Sequence, residues 1–267
     1  MMPTLQLSNG IAMPQLALGT WLIPESEAAE AVRQAIQAGY RHIDTAQAYE
    51  NEHGVGEGIH TCGVDRKDIF LTTKVAAELK SYEIAAESID RSLERLKTDY
   101  IDLLLIHCPQ PWAEYNISSY RYEKENRAVW RAMEEALRAG KVRAIGVSNF
   151  IESDLESLMA DAEIRPMVNQ FKCHISHTPL ALIEYCHSHG IATMAYSPVA
   201  HGEALTYPRI AEMARRYAVS IPQLCIRYCI QLGMVALPKS VNPEHIRQNA
   251  QLDFVISDED MQLLKSY

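Results

Sequence analysis

Eight short apolar runs recur along the chain, each followed by a stretch of helical periodicity, and this alternation restricts the fold more than any other feature. The runs fall at 16–19, 41–44, 69–74, 101–106, 142–147, 167–171, 191–196 and 234–237. Helical patterns lie near 24–38, 51–62, 81–96, 125–139, 152–162, 179–188 and 207–232, the last long enough for two helices, and 243–250 follows the final run. Gly39, Gly63, Gly140, Gly190 and Gly233 close helical stretches, as the residue just past a helix end often does. Runs such as Ile101–Ile106 and Ile191–Tyr196 are largely continuous in their apolar character, as strands are when a parallel sheet buries both faces. Eight such units in 267 residues predict an α/β fold, a closed (β/α)8 TIM barrel forming a single domain over 1–267. An open doubly wound sheet would place Gly-x-Gly-x-x-Gly after its first strand. The nearest match, Gly54-Val55-Gly56-Glu57-Gly58-Ile59, has the wrong spacing and sits inside a helical pattern, so it reads as a small-residue packing face. Ahead of the repeat, Leu5–Met13 alternates apolar residues around Asn9-Gly10, which predicts an N-terminal β-hairpin plugging one end of the barrel.

Composition removes several classes of function. Net charge is −9 and no block of Lys and Arg exists, so neither nucleic acid nor an anionic membrane surface is an expected partner. The N-terminus lacks the charged-then-apolar layout of a secretion signal, and no apolar run approaches the ~20 residues that span a bilayer. The six cysteines are scattered without a Cys-x-x-Cys, as free thiols are in a reducing compartment, so a cytoplasmic location is expected. Cys225 and Cys229, four apart on a helical pattern, read as small apolar filler.

The chemistry is expected where three consecutive strands end. The first ends on Asp44 and runs into Thr45-Ala46-Gln47-Ala48-Tyr49; the second ends on Lys74; the third ends on His107. Singly, these residues could be a structural ion pair, a rim aromatic and a near-core histidine. Packing alone does not account for three apolar strands in a row finishing on ionisable groups. If the strands are parallel neighbours, Asp44, Tyr49, Lys74 and His107 converge at one rim, a set suited to proton transfer. Two longer connections, Pro109–Tyr122 and Val199–Tyr207, also leave strand C-termini, and the aromatic residues of the first read as a substrate wall.

Asp44-Thr45-Ala46-x-x-Tyr49, Lys74, His107-x-Pro109, Gly146-Val147-Ser148-Asn149-Phe150, Asn169-Gln170, Tyr196-Ser197-Pro198, Pro238-Lys239-Ser240 and Asn249, taken in order, resemble the aldo-keto reductase family. The flavour is that of its short 2,5-diketo-gluconate reductase-like branch. The resemblance implies reversible reduction of small-molecule aldehydes or ketones with NADPH, which lies across the barrel's C-terminal rim. It makes Tyr49 the general acid, Lys74 the ammonium that lowers the phenol's pKa from about 10, and Asp44 the anion that keeps Lys74 charged. His107 would orient and polarise the substrate oxygen. The resemblance places Ser148, Asn149 and Gln170 around the nicotinamide amide, Tyr196 on its ring, and Ser197 and Val199 along the pyrophosphate. It also brings Gly19, Thr20 and Trp21 into the cofactor site, and gives Lys239 and Ser240 the 2′-phosphate.

The chain departs from the family pattern at three places. His245 stands where an arginine usually grips the 2′-phosphate, and Gln248, next to Asn249, where an acid commonly meets the adenine. An imidazole has no bidentate fork, so a weakened NADPH preference with NADH tolerated is expected, Arg247 being the available compensating charge. Cys108 stands where many relatives carry tryptophan beside the catalytic histidine, which predicts a wider pocket walled by Trp21 and Trp112. The last helix, opened by Ser257, ends near Lys265, without the further loop of larger relatives, which predicts an open site and a broad substrate range. Relatives of this size are commonly monomers, and a monomer is expected.

Two other classes make different demands. A metal-dependent barrel hydrolase wants a His-x-His on an early strand, and none is present; Cys173-His174-Ile175-Ser176-His177 has poor spacing for one metal. No metal is therefore expected. A non-catalytic cofactor-binding module would have no need of all four rim residues.

Overall fold

The computed structural model describes residues 3–267. Eight parallel strands form one sheet in sequence order: β3 (Leu18–Gly19), β4 (His42–Asp44), β5 (Phe70–Val75), β6 (Leu103–Ile106), β7 (Ile145–Ser148), β8 (Val168–Lys172), β9 (Ala192–Tyr196) and β10 (Met234–Leu237). The sheet closes on itself. Leu16 bridges Ala236 in parallel, and the Ala17 and Gly19 amides donate to the carbonyls of Ala236 and Pro238 at 3.0 Å each. This is the predicted (β/α)8 barrel. Closure removes both sheet edges, and unpaired edge groups are what an open sheet must otherwise protect.

The hairpin is present as β1 (Thr4–Gln6) paired antiparallel with β2 (Ala12–Pro14). Leu7 and Met13 pack into an inner apolar cluster with Phe70, Leu103, Met167 and Val235, residues that lie at or near the starts of barrel strands. The hairpin therefore plugs the N-terminal mouth, leaving the C-terminal mouth to the rim residues.

The outer layer is α1 (Glu25–Gln37), α2 (Glu52–Thr61), α3 (Tyr82–Leu96), α4 (Glu123–Arg138), α5 (Glu152–Asp161), α6 (Leu180–Ser188), α7 (Pro208–Arg216), α8 (Ile221–Gln231) and α9 (Pro243–Asn249), followed by α10 (Asp258–Lys265). The 207–232 pattern is indeed two helices, α8 being opened by a Ser220/Gln223 capping box with proline behind it. Five strands (β3, β4, β6, β7 and β9) are shorter than their apolar runs. β6 starts at Leu103 because the buried Asp102 carboxylate takes the Leu71 amide at 3.0 Å and pairs with Arg66 at 2.8 Å and Arg143 at 2.9 Å. β7 starts at Ile145, with Val142 making only an isolated bridge to Ile101. Cys225 and Cys229 lie buried on α8 as core filler. Among the described residues no helix is long and apolar enough to cross a membrane.

The glycines of α2 are a packing face, as their helical setting implied. A Cβ built on Gly54 would lie 2.6 Å from the Glu25 carbonyl oxygen, and one on Gly58 2.7 Å from the Val32 Cβ of α1. On Gly56 it would lie 2.5 Å from the Leu96 carbonyl oxygen at the end of α3. Backbone cannot yield as a side-chain tip can, so Gly56→Ala is expected to cost about 1–3 kcal/mol of stability. A urea melt showing an unchanged midpoint would contradict this.

Candidate active site

Parallel register carries the strand ends to one rim. Asp44 is the last residue of β4, Lys74 lies one residue short of the end of β5, and His107 follows β6 directly. Ser148 ends β7 beside Gln170 of β8, and Tyr196 ends β9. Tyr49 arrives by a different route, a single 3-10 turn, Gln47–Tyr49, between β4 and α2.

Lys74 is fully buried, and its Nζ donates to Asp44 Oδ1 at 2.6 Å and to the Thr45 carbonyl at 2.8 Å. The Tyr49 hydroxyl lies 3.5 Å from the same Nζ, at the outer edge of hydrogen bonding. Asp44 Oδ2 accepts from Gln170 Nε2 at 2.8 Å, so both oxygens of this carboxylate are engaged. The His107 ring meets Tyr49 edge-on at 5.4 Å between centroids and Trp112 at 5.1 Å. His107 Nδ1 is buried without a partner among the described residues. The structure brings the four rim residues together.

Burial pushes the Tyr49 phenol well above its ordinary value of 10, and the Asp44 anion pushes it further the same way. Burial also disfavours the charge of Lys74 itself, and the Asp44 carboxylate beside it favours that charge. His107 is driven well below its ordinary 6.5 by burial and by the Lys74 charge. At neutral pH the site therefore presents a protonated phenol and a neutral imidazole.

These groups sit at the floor of a cleft of about 1110 Å³. Its walls include every residue singled out for cofactor contact: Gly19, Thr20, Trp21, Ser148, Asn149, Gln170, Tyr196, Ser197, Val199, Lys239, Ser240, His245, Gln248 and Asn249. Asn149 takes the Tyr196 hydroxyl on its Oδ1 at 2.8 Å and donates to the His107 carbonyl at 3.0 Å. Asn149 and Ser197, each just past a strand end, hold left-handed backbone with φ of 63° and 56°. Such conformations persist where surrounding contacts over-determine them, and they gather at functional sites. His245, Gln248 and Asn249 share the cleft-facing side of α9, one turn apart.

Three residues are not where the sequence pattern put them, or were not seen in it. Cys108 does not wall the cleft: it is fully buried, and its carbonyl accepts from Lys80 Nζ at 2.9 Å, because alternation past the strand end turns it away from His107. Arg247 is not among the cleft-lining residues; its largely exposed guanidinium is bonded to Glu244. His201, unremarked in the sequence, stands over the cleft with left-handed backbone at φ 53° and meets the Trp21 ring edge-on at 5.5 Å. Trp112 does line the cleft, as expected of the first excursion.

The turn that carries Tyr49 is held by side chains the motif pattern does not single out. Gln47 Nε2 donates to Ser88 O at 3.1 Å and Ser92 Oγ at 3.0 Å, while its Oε1 accepts the Ala76 amide at 2.9 Å. Buried Asn51 donates to the carbonyls of Thr20 and Ile23 and accepts from Thr45 Oγ1, each at 2.9 Å. In sequence Asn51 looks like an ordinary helix opening; only the fold aims it back at the first strand's loop.

Comparison with known proteins agrees with this geometry. The Aldo/keto reductase family profile matches residues 14–267. Glyoxal reductase of Bacillus subtilis is 42% identical over 260 residues, spanning 97% of this chain and 90% of that protein. A solved aldo/keto reductase from Brucella melitensis superposes with a TM-score of 0.92 at 38% identity, covering 100% of this chain and 99% of the other. An aldo-keto reductase of Bombyx mori, solved in complex with NADP, gives 0.88 at 33% identity over 99% of this chain and 92% of its own. Similarity of this extent, in sequence and in backbone alike, makes the chain a member of the aldo/keto reductase family.

Proposed function

We propose that this protein reduces aldehyde or ketone carbonyls of small molecules to alcohols with NADPH, reversibly, acting as a single-domain cytoplasmic monomer. The observation that carries the reading is the buried Lys74–Asp44 pair with the Tyr49 hydroxyl 3.5 Å from its ammonium and His107 on the facing side. The residues present fit the dinucleotide. The cleft exceeds the roughly 300–1,000 Å³ of a drug-sized site. Its polar donors cluster at the strand ends, and the one Lys or Arg among its lining residues, Lys239, lies after β10 beside Ser240, where a phosphate would need it. Ser148, Asn149, Gln170 and Tyr196 would hold the nicotinamide end, and Lys239, Ser240, His245, Gln248 and Asn249 the adenine end. The bound cofactor supplies the hydride.

The chain's own residues manage the proton. Hydride addition to a carbonyl leaves an alkoxide, which needs a proton donor within reach. Tyr49 is that donor. Its elevated pKa keeps the proton in place until the alkoxide, a stronger base, takes it. Lys74 then faces the new phenolate at short range in a dry setting, where its charge stabilises the anion strongly. His107, neutral, donates a hydrogen bond to the substrate oxygen and fixes its position. The apolar lining of the cleft includes Trp21, Leu22, Ala48, Trp112 and Leu205. With Lys239 at the cofactor phosphate, no other Lys or Arg among the described lining residues would receive a carboxylate, which favours uncharged carbonyl compounds over sugar acids.

The test is oxidation of NADPH and of NADH against a panel of neutral aldehydes. Binding without turnover would identify a cofactor-binding module instead. With His245 in place of a guanidinium and Arg247 outside the cleft lining, kcat/KM is expected to favour NADPH by less than about a thousandfold, or ~4 kcal/mol. His245→Arg should raise that preference roughly tenfold through a bidentate contact with the 2′-phosphate. A wild-type preference above a thousandfold would sink the cofactor part of the proposal.

A further inference from the structure

We propose that Gln170 is a positioning residue for proton transfer, its side-chain amide holding Asp44 and so joining the dinucleotide end of the site to the Asp44–Lys74–Tyr49 chain. The inference rests on the reductase reading above and adds a role to a residue so far assigned only to the cofactor. Gln170 Nε2 lies 2.8 Å from Asp44 Oδ2, and Lys74 Nζ lies 2.6 Å from Oδ1. Gln170 is 2% exposed and Asp44 3%. The orientation of the amide is set by chemistry, since an ionised carboxylate only accepts and must face the NH2 group.

Three consequences follow from that bond. A carboxylate held by one partner can swing about its Cβ–Cγ bond; held on both oxygens, it cannot, and Lys74 is aimed at Tyr49 only while Asp44 stays put. The donor is neutral, so it fixes Asp44 without competing with Lys74 for its charge. Gln170 Oε1 makes no hydrogen bond among the described residues, and it remains free to accept from a nicotinamide carboxamide. One side chain thus serves both ends: its oxygen is open to the cofactor and its nitrogen is committed to Asp44.

Two variants test this. Gln170→Leu removes the donor without adding charge. Gln170→Glu keeps the shape, yet the new carboxyl can donate to Asp44 only while it carries a proton. Two carboxyls this close share one proton, so their joint ionisation moves up from the ordinary glutamate value of about 4.3. With kcat read at saturating NADPH from about pH 5 to 9, Gln170→Leu is expected to lose roughly tenfold at every pH. Gln170→Glu should approach wild type at the acid end and lose activity as pH rises through an ionisation that wild type lacks. The sign follows from the donor: the protonated form restores the bond, so activity survives below the raised pKa and is lost above it.

An activity-independent readout is the 13C resonance of the Lys74 ε-carbon in lysine-labelled protein, assigned by its loss in Lys74→Met. In Gln170→Glu this resonance should shift at the pH of the kcat inflection. Gln170→Leu with kcat within twofold of wild type and only a raised KM for NADPH, together with a Gln170→Glu profile superimposing on wild type, would assign Gln170 to the cofactor alone. If wild type reduces no carbonyl, the reductase reading fails. The NMR titration still decides the Gln170–Asp44 contact, a shift upholding it and an unmoved resonance overturning it.

Discussion

Tyr49→Phe is expected to lower kcat for carbonyl reduction by about 10²–10⁴-fold while leaving dinucleotide affinity within about twofold. Only one oxygen is removed, and it is the oxygen 3.5 Å from Lys74 Nζ. The ring keeps its edge contact with His107 at 5.4 Å, so the aromatic surface of the site is preserved. The 3-10 turn is held by Gln47 and Asn51, not by the phenol, so the backbone has no reason to move. The same electrostatics set the pH behaviour of wild type. The phenol's folded pKa is raised, so it keeps its proton through and above the neutral range; the His107 pKa is lowered, so the ring stays neutral until well into acid. Reduction should therefore be flat from about pH 6 to 9, with no limb near 6.5 where an exposed histidine would titrate. Tyr49→Phe with more than a tenth of wild-type kcat would remove the phenol from the mechanism.

Lys74→Met is the second large effect, and it reaches stability as well as rate. The ammonium is fully buried against a carboxylate that is itself buried. Removing one partner leaves Asp44 with a single neutral donor, and breaking such a pair typically costs about 3–5 kcal/mol. Turnover should fall at least as far as in Tyr49→Phe, since the phenolate would form beside a bare carboxylate and no cation. Loss of the fold could imitate loss of chemistry, so the double variant Asp44→Asn with Lys74→Met is the control. It removes both charges and keeps the Gln170 contact available to the asparagine oxygen, so most of the stability should return while turnover does not. A double variant that recovers both stability and activity would show that the pair serves the barrel and not the reaction.

Much of the architecture was readable in the chain. A parallel strand buried on both faces must be apolar throughout, so β4 to β10 announce themselves as runs, and a run finishing on Asp44, Lys74 or His107 breaks a rule that packing alone would keep. Contacts that join residues far apart in sequence were less legible. Asn51 reads as a helix opening, and its partners Thr20 and Ile23 are 31 and 28 residues away. Cys108 is expected at the pocket because many relatives carry tryptophan at that position, yet neighbours at a strand end face opposite ways and Cys108 is buried. His201 enters the site only because a left-handed turn brings it to Trp21.

What the sequence determined by itself was the barrel, its plugged end and the identity of the residues at the open rim, because periodicity and strand length are local and each strand states its own burial. What tertiary structure alone decided was the setting of those residues: the phenol's pKa driven up by burial, Cys108 turned into the core, and the Gln170 amide turned to Asp44. Protonation and hydrogen-bond choice depend on desolvation and on distances of a few ångströms between strands, which no single stretch of sequence encodes.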